Sequence, residues 1–122
     1  MIKKVILTRD FLIHCLNEEI DFEFQLMNSG CKIAVIREDL QHLKDWQPRS
    51  SHRKKAMLAV IEGIYNNPNI EKKTLPIEDM DNKIIELGKQ GYYIASTRND
   101  ILNRVEKKVL IKDKEIVIED GI

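Results

Sequence analysis

Four short apolar runs, at residues 5–7, 32–36, 92–95 and 109–111, limit most sharply what this chain can fold into. Each is strand-sized and bounded by polar or turn-forming residues, the pattern of a buried strand. Between them, apolar residues recur at helical spacing. Phe11, Leu12, Cys15 and Leu16 mark one such stretch, Leu40 and Leu43 another, then Met57, Leu58, Val60, Ile61 and Ile64, then Ile84, Ile85 and Leu87. Strands alternating with helices specify an α/β fold, a mainly parallel sheet covered on both faces in three α/β/α layers.

The remaining elements follow from local signals. A second helix carries an expected inward stripe of Ile20, Phe24 and Met27, with Phe22 and Leu26 flanking it, and Asn28-Ser29-Gly30 ends it. Residues 70–75 read as a third strand, polar enough to lie at an edge. Residues 99–105 read as a sixth helix. Lys112-Asp113-Lys114 turns the run at 109–111 back into residues 115–118, an edge hairpin. With no internal repeat or composition break, residues 1–122 form one domain.

Charge narrows the function classes. Twenty basic and twenty acidic residues cancel, so the surface is not broadly polycationic, although a local patch remains compatible with that balance. No apolar run is long enough to span a membrane, and the charged flanks of the first run exclude a signal peptide. Cys15 and Cys31 read as reduced core thiols of a cytoplasmic protein.

In an open α/β sheet, ligands bind outside the carboxyl ends of the strands. Those ends carry Thr8 and Asp10 after the first strand and Arg37, Glu38 and Asp39 after the second. Thr97 to Asp100 follow the fourth strand, while Asp79 and Asp81 open the fifth helix. Carboxylates gathered there repel one another unless a positive charge intervenes, commonly Mg²⁺ or Mn²⁺. The plainer reading of Asp10, Asp39 and Asp81 is that each caps a helix start.

Read in order, T-R-D (residues 8–10), E-D-L (38–40), D-N-K-I-I (81–85) and S-T-R-N-D-I-L (96–102) resemble the motif positions of the PIN domain family. The closest likeness is to its archaeal and ribosome-processing members. Its tail, V-L-I-K-D-K-E-I-V-I-E, is similar to the family's terminal strand and hairpin. That resemblance implies a ribonuclease fold with a Mg²⁺ or Mn²⁺ site, and it places Asp39 and Asp81 on acidic, metal-holding positions. It also implies a homodimer. The family's D-T-N opens on Thr8 here, and the acid of its T-N-D falls on Arg98. Asp10 and Asp100 stand two residues further on, which within a helix is roughly 200° around the axis.

Two functions follow. One is a non-catalytic or weakly active RNA-binding module with a degraded metal site, in which Arg98 supplies the positive charge and pairs bidentately with a carboxylate. The other is a metal-dependent single-strand endoribonuclease, with Asp39 and Asp81 holding metal and Asp10 or Asp100 completing the set. Candidate RNA contacts are Arg49, His52, Arg53, Lys54 and Lys55, together with Arg98. The basic run 52–55 reads equally as a solvated helix start. Trp46, Tyr92 and Tyr93 are candidates for base stacking, with a place in the core as the simpler reading.

Overall fold

The computed structural model describes residues 2–45, 51–76 and 78–121, without the side chains of Ser51 and Arg53. Trp46 and Arg49 lie outside the described residues. The elements run β1 (Lys3–Leu7), α1 (Arg9–Asn17), α2 (Phe22–Asn28), β2 (Cys31–Ile36), α3 (Arg37–Asp45) and α4 (Ser51–Asn66). They continue as β3 (Glu71–Lys73), α5 (Met80–Lys89), β4 (Tyr93–Ala95), α6 (Asn99–Leu102), β5 (Lys108–Lys112) and β6 (Glu115–Glu119).

One sheet holds all six strands in the order β3-β2-β1-β4-β5-β6. The first five are parallel, and β6 returns antiparallel to β5. The turn between them, Asp113-Lys114, has φ of 50° and 65°. Both values are positive, as a two-residue type I′ hairpin requires. On the far side of β6, Gln25 Oε1 accepts the backbone N–H of Ile116 at 2.9 Å.

Strand residues alternate between two apolar layers. Val5, Leu7, Ile33, Val35, Tyr93 and Ala95 face α1 to α4, where Phe11, Leu12, Leu26, Leu40, Leu43, Ile61 and Ile64 close over them. Ile6, Ala34, Ile36 and Ile94 face α5 and α6, against Ile84, Ile85, Leu87, Ile101 and Val105. Gly88 lets α5 settle onto this second layer, since a Cβ there would lie 3.1 Å from Val105 and 3.3 Å from Ile94. Cys15 and Cys31 are free and buried. Tyr93 is core, and Tyr92 is half-buried at the edge of the second layer.

Two expectations are corrected. In α2 the inward residues are Phe22 and Leu26, while Phe24 is 61% and Met27 44% exposed. The helix starts at Phe22 with Asp21 capping the N–H of Phe24 at 3.1 Å, so Ile20 falls outside it and the expected 20/24/27 stripe does not form. Ile20 is buried from the loop before the helix. The sixth helix is one turn, Asn99–Leu102, not a helix reaching residue 105. Val105 still enters the second core layer from beyond it.

The rotation of α2 separates two truncations that look alike in composition. Leu26→Ala should cost about 2–5 kcal/mol in urea unfolding, and Phe24→Ala should stay within about 0.5 kcal/mol. Equal losses would contradict the orientation.

Candidate functional site

β1 and β4 are adjacent at the centre of the sheet, where the strand order reverses, so their carboxyl ends open a crevice. Thr8 and Arg98 sit at those ends, both in extended backbone before a helix. A cleft of about 400 Å³ lies there, bounded by Thr8, Arg9, Asp10, Glu38, Asp39, Asp45, Asp81 and Arg98, with Gln41, His42, Met80 and Ile84 completing its walls. Residues that follow β1 and β4 thus converge with residues of α1, α3 and α5 from distant parts of the chain.

Asp10 ties two of these strand ends together. Its Oδ2 accepts the hydroxyl of Ser96 at 2.7 Å, the backbone N–H of Thr97 at 2.6 Å and the Thr97 hydroxyl at 3.0 Å. Its Oδ1 lies 2.8 Å from Thr8 Oγ1, which is also 2.7 Å from the carbonyl oxygen of Ala95. One hydroxyl proton is shared between those two acceptors. Burial alone would raise the Asp10 pKa, but the Thr97 N–H and the surrounding hydroxyls outweigh it and hold the carboxyl below its usual range. The 200° offset between Thr8 and Asp10 does not arise, because Thr8 is extended and not yet helical. Nor does Asp10 cap its own helix; it reaches across to the backbone ahead of α6.

Arg98 forms the second knot. Nη1 and Nη2 donate to Oδ1 and Oδ2 of Asp81 at 3.0 and 2.9 Å. Nε and Nη2 donate to Oδ1 and Oδ2 of Asp100 at 3.2 and 2.6 Å. Both pairs are bidentate, the arrangement a planar guanidinium favours. The Asp100 carboxyl is held below its usual range chiefly by these bonds. With three of its nitrogens committed to carboxylates, Arg98 has little left to offer a phosphate.

Asp39 stands apart from both knots. It is buried at the first turn of α3, and its pKa is pushed up to about 6, first by loss of solvent. Arg9 opposes that rise, while Asp10 and Glu38 add to it. Glu38 points toward β3, where its Oε1 accepts the N–H of Leu75 at 2.7 Å. Arg9 and His42 also line the cleft, and the sequence signals neither beyond the place of Arg9 between Thr8 and Asp10.

This donor set does not fit a divalent cation as it stands. Asp10 is tied to Thr8, Ser96 and Thr97 by hydrogen bonds, and Asp81 and Asp100 are both engaged by a fixed positive charge. Among the described residues, no group of three or more His, Cys, Asp or Glu side chains is placed to hold a metal ion.

The basic run is elsewhere. His52 lines a separate groove with Cys15, Leu16, Ile20, Phe22 and Met57, and Lys55 is exposed. Lys54 donates to the carbonyl of Lys44 at 2.9 Å. Among the described residues, no helix is long and apolar enough to cross a membrane.

The raised pKa of Asp39 has a definite sign. The folded state binds a proton that the unfolded chain releases near pH 4, so stability is lost as pH rises from there through about 6. Asp39→Asn should therefore stabilise the protein at pH 8, by about 1–3 kcal/mol, and the gain should vanish at pH 4 in urea unfolding.

No family model and no curated protein matches the sequence. Among solved structures the chain is similar to one described as the PIN domain endonuclease Utp24, with 16% identity and a TM-score of 0.71. The match covers 96% of this chain and 91% of that one. At that identity the likeness is one of fold, and the fold of this chain is PIN-like.

Proposed function

We propose that this protein is a PIN-fold module that holds RNA without cutting it, its acidic centre closed by Arg98. The observation that carries the reading is the double bidentate contact of Arg98 with Asp81 and Asp100. Where the family resemblance implies an acid and a metal ion, this chain has an arginine that brings the charge itself. Thr8 removes a second acid, and its buried hydroxyl is spent on Ala95 and Asp10.

Electrostatics supports binding away from the cleft. Five carboxylates line it against two guanidiniums. Without a metal ion, that field repels a phosphodiester. RNA is held instead by the start of α4, where no acidic residue occupies the first turn and His52 and Lys55 are exposed. Arg49, Arg53 and Lys54 belong to the same stretch of sequence. Contacts of this kind neutralise phosphates and weaken as salt rises.

A second reading is a Mg²⁺- or Mn²⁺-dependent endoribonuclease. It is favoured by the fold likeness to an endonuclease. Asp39 and Asp81 would hold the ion and Asp10 or Asp100 would complete the set, which requires Arg98 to leave Asp81. A cytoplasmic location, expected from the sequence, and a homodimer, implied by the family resemblance, accompany either reading.

Calorimetry with Mn²⁺ and retention of a single-stranded RNA pool separate the two. The wild-type chain should give no saturable Mn²⁺ heat and no RNA cleavage, and Thr8→Asp/Arg98→Asp should gain Mn²⁺ binding. Mn²⁺-dependent cleavage by the wild type, lost in Asp39→Asn/Asp81→Asn, would overturn the binding-module reading. RNA retention should survive chelator, and Arg53→Gln/Lys55→Gln should lower the slope of log affinity against log salt by about 1–2.

A further inference from the structure

At the opposite end of the sheet from the cleft, we infer a phosphate-binding site built on Lys4 and Lys32. These two residues are directly paired in the β1–β2 register. Neighbouring strands lie about 4.8 Å apart, and alternation places both side chains on the face that carries Ile6 and Ala34. On that face α5 and α6 bury Ile6, Ala34, Ile36 and Ile94, but Lys4 and Lys32 are exposed. Two ammonium groups thus stand side by side on the uncovered part of the sheet.

Like charges in direct register across strands are destabilising, whereas Lys3 and Lys73 of this sheet face no like charge and have carboxylate partners. Lys3 meets Asp120 at 3.4 Å, and Lys73 meets Glu71 at 3.0 Å. Among the described residues, Lys4 and Lys32 have neither an ion pair nor a hydrogen bond. Glu71, the one carboxylate that shares their pocket, is the partner of Lys73. That pocket has a volume of about 280 Å³ and is closed by Ala34, Pro68 and Asn69, with Asn69 adding an amide at the rim.

A tetrahedral dianion fits this chemistry. It accepts from both ammoniums at once, cancels their repulsion and leaves an oxygen for the Asn69 amide. A carboxylate carries half the charge and a flatter acceptor set. The site lies about 13 Å along β1 from Thr8, so it is separate from the cleft and does not rest on the RNA-binding reading.

The test is an ¹⁵N-resolved titration of the full chain with inorganic phosphate in low-salt buffer. Resonances of Lys4, Lys32 and Asn69 should shift saturably. Lys4→Gln or Lys32→Gln should weaken the effect about tenfold or more, and the double variant should abolish it. Lys107→Gln should leave it unchanged. In phosphate-free buffer the double variant should also unfold at a higher temperature than the wild type, and added phosphate should close that gap. Oligonucleotides with a 5′-phosphate or a 5′-hydroxyl identify the source. Tighter binding of the phosphorylated one assigns the site to a chain terminus, and binding of inorganic phosphate alone assigns it to the free ion; equal binding of the two, which only singly charged internal phosphodiesters could give, would overturn a dianion site. Absence of a saturable shift at Lys4 and Lys32, or a shift that survives the double variant, would overturn the proposal.

Discussion

The carboxylate of Asp10 is the contact on which the geometry of the sheet centre depends. β1 and β4 are parallel neighbours drawn from opposite ends of the chain, and only three register pairs join them. Past those pairs the ladder ends, and the two strand ends would diverge into separate helices. Thr8 N–H still reaches the Ala95 carbonyl at 3.1 Å, and Asp10 then takes over by receiving Ser96 and Thr97. A charged acceptor bonded by several donors is among the stronger side-chain links a protein can make. It fixes where α1 and α6 begin, and with them the position of Arg98.

Around that fixed point the cleft divides its acids by the company they keep. Asp10 stays ionised because donors surround it, and Asp100 because a guanidinium does. Asp39 has neither in sufficient measure, and burial carries its pKa toward neutrality. The same residue type therefore occupies distinct electrostatic states within one small volume. Arg98 and its partners are about half exposed, so their ion pairs add little to stability; exposed pairs typically contribute about 0–1 kcal/mol. Their effect is to set the charge of the cleft.

Much of this was legible in the sequence. The apolar runs became strands, the edge positions of the third strand and the hairpin were readable from their polarity, and the strand ends carrying Thr8, Asp39 and Arg98 do meet. Their meeting follows from parallel topology, which puts every carboxyl end on one side. Side-chain direction was less legible. In α2 two apolar pairs, Phe22/Leu26 and Phe24/Met27, satisfy helical spacing equally, and only tertiary packing, which buries Phe22 and Leu26, chooses between them. The reach of Asp10 was hidden because the step from Thr8 to Asp10 reads as part of a helical turn, yet Thr8 holds extended backbone. Arg9 beside Asp39 had no sequence signal beyond its neighbours. The roles assigned to these residues rest on their chemistry, since similarity at this level extends to fold alone.

The contact between Gln25 and Ile116 bears on how copies of this chain behave when crowded. An antiparallel edge strand presents outward N–H and C=O groups that invite another strand to dock and, in repetition, to build fibres. β6 is apolar enough, with Ile116, Val117 and Ile118 in succession, to be such a template. Gln25 occupies one of its outward donors from the neighbouring helix, so an incoming strand must first displace a hydrogen bond that is already made. The acids that close the strand, Glu115 and Glu119, add repulsion between identical edges. A single amide thus helps keep a six-stranded sheet from becoming an endless one.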